Sequence, residues 1–171
     1  MKRSGRTLKQ RLFGLKHLHT HIGRIRHFRG HGVHSPYVYD VVRQVLMHST
    51  FINDDHTLYD TLTERGYAHK RALQLQNLAA HCQYRVWSID SIAADSDYII
   101  LTENTNTAEF ARYYNEARSL GATLCILSPY LNAERLHSCR EFIECHPSTT
   151  IDNRGYLLFF NNHLPRQQYR L

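Results

Sequence analysis

The sequence predicts one α/β domain behind a basic N-terminal arm, its sheet mostly parallel with an antiparallel hairpin at the C-terminal end. Three observations carry this prediction. Apolar residues keep helical spacing to about residue 82 and then gather into short runs bounded by polar breaks. Those runs alternate with further helical segments, the signature of a parallel sheet covered by helices. The chain then closes on a strand, a tight turn and a strand. At 171 residues it is long enough to bury one core, and no polar linker divides it, so the expected organisation is an arm over 1–34 and a single domain over 35–171.

The arm comes first and is defined by charge. Residues 1–39 hold nine Lys or Arg and no Asp or Glu, whereas residues 40–171 hold twelve basic and fifteen acidic side chains. An arm of +9 on a body of −3 meets an anionic partner arm first, because clustered cations raise the local concentration of polyanions. Its candidate contacts are Arg3, Arg6, Lys9, Arg11, Lys16, Arg24, Arg26 and Arg29, interleaved with Phe13 and Phe28, which can stack on exposed bases. RNA, an acidic protein surface and anionic lipid all fit this pattern. Without an RNP sequence, zinc-finger spacing or reading helix, RNA binding would be led by charge and not by sequence.

At the junction, Ser35 followed by Pro36 marks a helix start: the hydroxyl accepts a free first-turn N–H, and proline at the first position wastes no donor. This helix is expected to run to about His48, with Tyr37, Val38, Val41, Val42, Val45 and His48 on its buried side. A polar break over 49–56 follows. Helical spacing resumes from Thr57 to Cys82, interrupted at Arg65–Gly66, with Leu73, Leu75, Leu78 and Ala79 packed and Lys70, Arg71, Gln74 and Asn77 wet.

Beyond Cys82, Arg85–Ile89 and Asp97–Leu101 read as strands, Thr107–Leu120 as a helix, and Ala122–Leu127 as a third strand. The second and third strands are expected at the centre of the sheet. Asn132–Cys145 reads as a helix with Asn132 its N-cap and Leu136, Cys139, Phe142 and Ile143 buried. Ser148–Ile151 and Tyr156–Phe160 form the hairpin, with Gly155 supplying a positive φ in the turn.

The four cysteines are widely spaced and form no CxxC pair, and no segment resembles a secretory leader or a membrane span, so reduced thiols and a cytoplasmic location are expected. Thirteen histidines include the alternating His17, His19 and His21, but no spacing closes a four-ligand site, and no metal is expected. No strand–nucleophile–helix elbow is present. Cys125 falls in a core strand, and His137 with Glu141 forms an ordinary helix-surface pair.

The segment RHFRGHGVHSPYVYDVV, residues 26–42, resembles the N-terminal signature, roughly HRHGHGVHSPFVF, of bacterial proteins related to class I S-adenosylmethionine-dependent methyltransferases. His31, Gly32, His34, Ser35 and Pro36 carry it. Residues 68–89 look like the helix and first strand that introduce the cofactor half of those proteins, and SDYIILTENTN at 96–106 resembles their strand reading LDLVFIDGNH. Residues 122–143 resemble the strand and helix around a DDIHWS-like segment, and residues 149–169 look like the terminal hairpin and tail. The resemblance spans most of the chain and is weakest in its middle. It implies a reduced Rossmann-like methyltransferase sheet with an N-terminal helical extension.

The departures bear on function. Where the family has a Gly-rich turn after its first strand, this chain has Asp90, Ser91, Ile92, Ala93 and Ala94, and the next strand follows with no room for the intervening elements. The GNH-like segment stands as Glu103, Asn104 and Thr105, and the paired aspartates as Ser128 and Pro129. The expectation is a noncatalytic, methyltransferase-like binding or regulatory module without cofactor. The alternatives are a small S-adenosylmethionine-dependent methyltransferase, for which Asp90 and Glu103 are the weak candidate ligands, and a basic RNA-associated protein. Both carboxylates equally suit hydrated strand ends, or, for Asp90, a cap on the next turn. A shortened sheet also exposes an edge on which a second copy can pair, making a homodimer plausible.

Overall fold

A computed structural model describes residues 34–171 of the chain. The cationic candidates from Arg3 to Arg29, with His31 and Gly32 of the signature, lie outside the described residues. Those described fall into two compact units, 34–85 and 86–171. No helix among them is long and apolar enough to cross a membrane.

The first unit is helical. Helix α1 is Pro36–Val41, with the Ser35 hydroxyl accepting the Val38 N–H at 3.4 Å and Pro36 in the first turn as expected. It continues as a π-helical turn over Val42–Leu46, in which the Met47 N–H reaches back to the Val42 carbonyl at 3.0 Å. Val38, Val41, Val42 and Val45 are buried, but the helix ends before His48, which is exposed, as is His34. Helix α2, Thr57–Glu64, and helix α3, His69–His81, are separated where the sequence predicted a break. Gly66 takes φ +89° there, and the Tyr67 and Gly66 N–H groups close back onto Leu62 and Thr63 at 3.0 and 2.9 Å, ending α2 in a Schellman motif.

Two side chains of α3 expected to be wet are buried, Gln74 and Asn77. Gln74 donates from Nε2 to the Leu46 carbonyl at 2.8 Å; Asn77 donates to the Thr50 carbonyl at 2.8 Å and accepts the Ile52 N–H at 3.2 Å. They supply hydrogen bonds to the irregular backbone over 46–52, which has no ladder of its own. Gln76 similarly accepts the Tyr59 N–H at the start of α2, at 3.0 Å.

The second unit is α/β. Its mixed six-stranded sheet has the order β1-β2-β3-β5-β4-β6, built from Trp87–Ile89, Tyr98–Leu101, Thr123–Leu127, Thr150–Asp152, Tyr156–Phe159 and Gln168–Arg170 in chain order. Strands β1, β2 and β3 run parallel, β5 is antiparallel to both β3 and β4, and β6 lies parallel to β4. The C-terminal hairpin expected from the sequence is present as β4 and β5, but among the described residues β6 and not the hairpin forms that edge of the sheet. Every residue of β2 and β3 is buried, as expected for central strands.

One face of the sheet, through Ile99, Leu101, Leu124, Ile126, Leu157 and Phe159, packs on helices α4 (Phe110–Leu120) and α5 (Ala133–Cys145). A 3-10 turn over Thr107–Glu109 leads into α4, and Asn106 caps it by accepting the Ala108 N–H at 3.0 Å. Asn132 caps α5 as predicted, accepting the Arg135 N–H at 2.8 Å. In the hairpin turn the left-handed residue is Arg154, φ 53°, and not Gly155; the Asp152 carboxylate takes the Arg154 N–H at 3.0 Å and holds that conformation.

Candidate functional site

Parallel strands present their carboxyl ends on one side of a sheet, where α/β proteins bind ligands. Here that edge is formed by the residues after β1, β2 and β3: Asp90, Thr102 to Thr105, and Ser128 with Pro129. Strand β1 returns to β2 through only eight residues, 90–97. Parallel neighbours ordinarily need a crossover of about a dozen or more. Eight suffice because β1 is three residues long, so the chain travels back roughly 10 Å. Serines stitch the short return: Ser88 Oγ donates to the Ser91 carbonyl at 2.9 Å, and Ser96 Oγ accepts the Ala93 N–H at 3.2 Å.

Asp90 stands in the left-handed region, φ 55°, which an aspartate tolerates better than most residues. Its half-buried carboxylate accepts hydrogen bonds from the chain itself. Oδ1 accepts the Thr102 N–H at 2.7 Å and also the Thr105 hydroxyl, while Oδ2 accepts the Thr102 hydroxyl at 2.6 Å. Asp90 thus ties down the turn after β2. The Tyr113 hydroxyl of α4 donates to the Asp90 carbonyl at 2.7 Å, fixing the backbone from a second direction.

Glu103 lies across from Ser128, whose hydroxyl donates to its Oε1. Ser128 is the second left-handed residue of this edge, φ 49°. The two sequence-predicted ligands therefore sit on one rim of the sheet, each engaged by a side chain of the chain itself.

Arg135 completes the cluster and was not singled out from sequence. It is 1% exposed, and its guanidinium faces main-chain oxygens: Nη2 donates to Thr102 at 2.8 Å and Leu127 at 2.9 Å, and Nε donates to Leu127 at 3.2 Å. The Phe110 ring lies beneath the guanidinium at 4.7 Å. A cation in this position joins the ends of β2 and β3 through carbonyl groups that would otherwise point out of the sheet. The signal available in the sequence is that Arg135 precedes Cys139 and Phe142 by four and seven residues, placing a base on the predicted apolar stripe of α5. Thr102 and Thr105 carried no such mark.

Chemically, this rim holds carboxylates that accept hydrogen bonds and a guanidinium that donates them. It presents no thiol nucleophile: Cys139 on α5 is buried, and burial pushes its thiol up to about 12, against a smaller opposing effect of Arg135. Among the described residues no group of three His, Cys, Asp or Glu converges as a metal site would require. No protein-family model, curated protein or solved structure matches the chain.

Proposed function

We propose that this chain is a shortened methyltransferase-like protein that no longer binds S-adenosylmethionine and serves as a binding or regulatory module. The observation that carries the reading is Asp90. Its two carboxylate oxygens, the candidate acceptors for a ribose diol, receive Thr102 and Thr105, so a nucleoside would have to displace three intramolecular hydrogen bonds to reach them.

Two further features support it. A cofactor crevice in an open parallel sheet lies where the strand order reverses, between strands that diverge to either side. Among the described residues, strand β1 is the edge of this sheet, with β2 on one side and no strand beyond. The backbone after β1 also returns at once to β2 through residues bearing side chains, where close approach of a cofactor would call for glycine. The left-handed Asp90 and Ser128 fit the same descent, since backbone of this kind concentrates at ligand-binding strand ends.

Calorimetry on folded, full-length protein tests the proposal directly. No saturable heat with S-adenosylmethionine or S-adenosylhomocysteine up to about 1 mM is the expected result. Saturable one-to-one binding would overturn it and restore the reading as a small methyltransferase. A second reading, contact with RNA, is favoured by nine cations without an acid in residues 1–39. Its measure is the salt dependence of binding to a single-stranded oligonucleotide, which must be steep if the arm releases counterions.

A further inference from the structure

A cavity of ≈ 40 Å³ opens on the 86–171 unit, touching the strand-end rim only through Pro129 and lined by neither Asp90 nor Glu103. Leu136 and Ile143 of α5 and Leu157 of β5 give it an apolar lining, which Arg140 of α5 and Arg170 of β6 share. Size decides the class of occupant. One water needs about 10–15 Å³ by this measure, so the cavity accommodates a few waters or one aliphatic side chain. A nucleotide or a cofactor needs roughly 300 Å³ or more.

Charge decides the rest. Arg140 and Arg170 are both exposed, and neither enters an ion pair among the described residues. The acid in the lining, Asp152, is 5% exposed and turned to the protein, accepting the Tyr130 hydroxyl and the Arg154 N–H. Among the side chains that line the recess, the exposed charges are therefore the two guanidinium groups.

We propose that this recess docks an acidic segment of a protein partner, one aliphatic side chain entering between α5 and β5 while flanking carboxylates meet Arg140 and Arg170. Bidentate pairing suits guanidinium and carboxylate, and the buried aliphatic group supplies the specificity that two surface charges lack. A nucleic acid offers the negative charge but no aliphatic group of this size. The site does not depend on whether the strand-end rim binds a cofactor.

The test is fluorescence anisotropy of full-length protein titrated with a fluorescein-labelled Glu-Glu-Leu-Glu-Glu peptide at about 0.1 M salt, where exposed charges alone are well screened. Binding is expected to weaken about fivefold or more in the Arg140→Ser/Arg170→Ser variant, and about tenfold when the peptide's leucine is replaced by glycine. An Arg43→Ser/Arg112→Ser variant, which removes the same number of charges from other exposed positions, should bind as the parent does. The proposal fails if the peptide does not bind by about 1 mM, or if Arg140→Ser/Arg170→Ser leaves its affinity unchanged. It fails equally if leucine and glycine peptides bind alike, or if a single-stranded oligonucleotide binds in an Arg140- and Arg170-dependent manner as tightly as the peptide.

Discussion

Arg135 binds the carbonyl of Leu127 twice, through Nε at 3.2 Å and Nη2 at 2.9 Å, so a helix side chain seals the last residue of a central strand eight positions earlier in the chain. The same Nη2 reaches Thr102 at the end of β2. Burying a guanidinium is costly, and the cost is met only while all these carbonyls receive its hydrogen bonds.

Replacing Arg135 with Met keeps the apolar contact with Phe110 but leaves buried carbonyls without their donor. We expect a loss of about 3 kcal/mol, seen as a lower urea midpoint at unchanged m-value. Arg135→Lys should recover only part of it, since one ammonium cannot reproduce the planar fork that joins two strands. Equal stability of Arg135→Met and the parent protein would show that the guanidinium does not fasten the rim.

Asp90 gives a sharper distinction between structure and ligand binding. A carboxylate kept for a cofactor can be neutralised with little effect on folding, whereas one that accepts Thr102 and Thr105 cannot. Asp90→Asn retains tolerance of the left-handed backbone and changes the acceptors alone. It should cost about 2 kcal/mol, the scale of hydrogen bonds to a charged group, in the same urea experiment. A stability change below about 0.5 kcal/mol would mean that the carboxylate is not needed to hold the turn after β2.

These two residues also mark how far the sequence can be read. The central strands were legible because a strand buried on both faces must be a continuous apolar run, and YIIL and TLCIL are such runs. The break between α2 and α3 was legible because Gly66 is free to adopt the left-handed end of a helix. Strand β6 was not, because only Tyr169 of Gln168–Arg170 is buried and an edge strand has no apolar period to find. Gln74 and Asn77 were misjudged since polarity on a helix reads as solvent, and their acceptors on the 46–52 backbone lie 28 and 27 residues away. Asp90 was found through resemblance, yet its partners are 12 and 15 residues on and belong to the fold.

The thiols should divide by burial. Cys125 and Cys139 are buried, Cys82 is partly buried with its thiol pushed up by desolvation, and Cys145 is exposed. The thiolate is the reactive form, so a native protein treated with a thiol-specific disulfide reagent near neutral pH should show one fast equivalent, from Cys145. The other three should appear only in denaturant. Two or more fast equivalents would contradict the packing of α5, β3 or the end of α3.

His146 makes the last prediction, and its sign follows from geometry. The imidazole is fully buried, accepts the Tyr114 hydroxyl at Nδ1 at 3.1 Å, and lies 2.9 Å by Nε2 from the Phe160 carbonyl, which can only accept. The proton is therefore on Nε2, with Nδ1 the acceptor in the neutral ring that burial favours. Burial holds its pKa below the ordinary 6.5, so as pH falls through 6.5 the unfolded chain takes up a proton first. The stability that His146 contributes is complete above 6.5 and is lost on going down from 6.5 to the depressed folded value. Tyr114, pushed above 10 by burial, acts at the other end: its contribution is present below 10 and is lost as pH rises further. We expect His146→Phe to be less stable than the parent at neutral pH, because it removes the ring's hydrogen bonds to the Tyr114 hydroxyl and the Phe160 carbonyl, with the difference in Tm narrowing as pH falls below 6.5. Carboxylates common to both proteins cancel in that difference. A gap that stays constant or widens on acidification would mean that the ring is charged in the folded protein, and the neutral tautomer assigned by its two partners would be wrong.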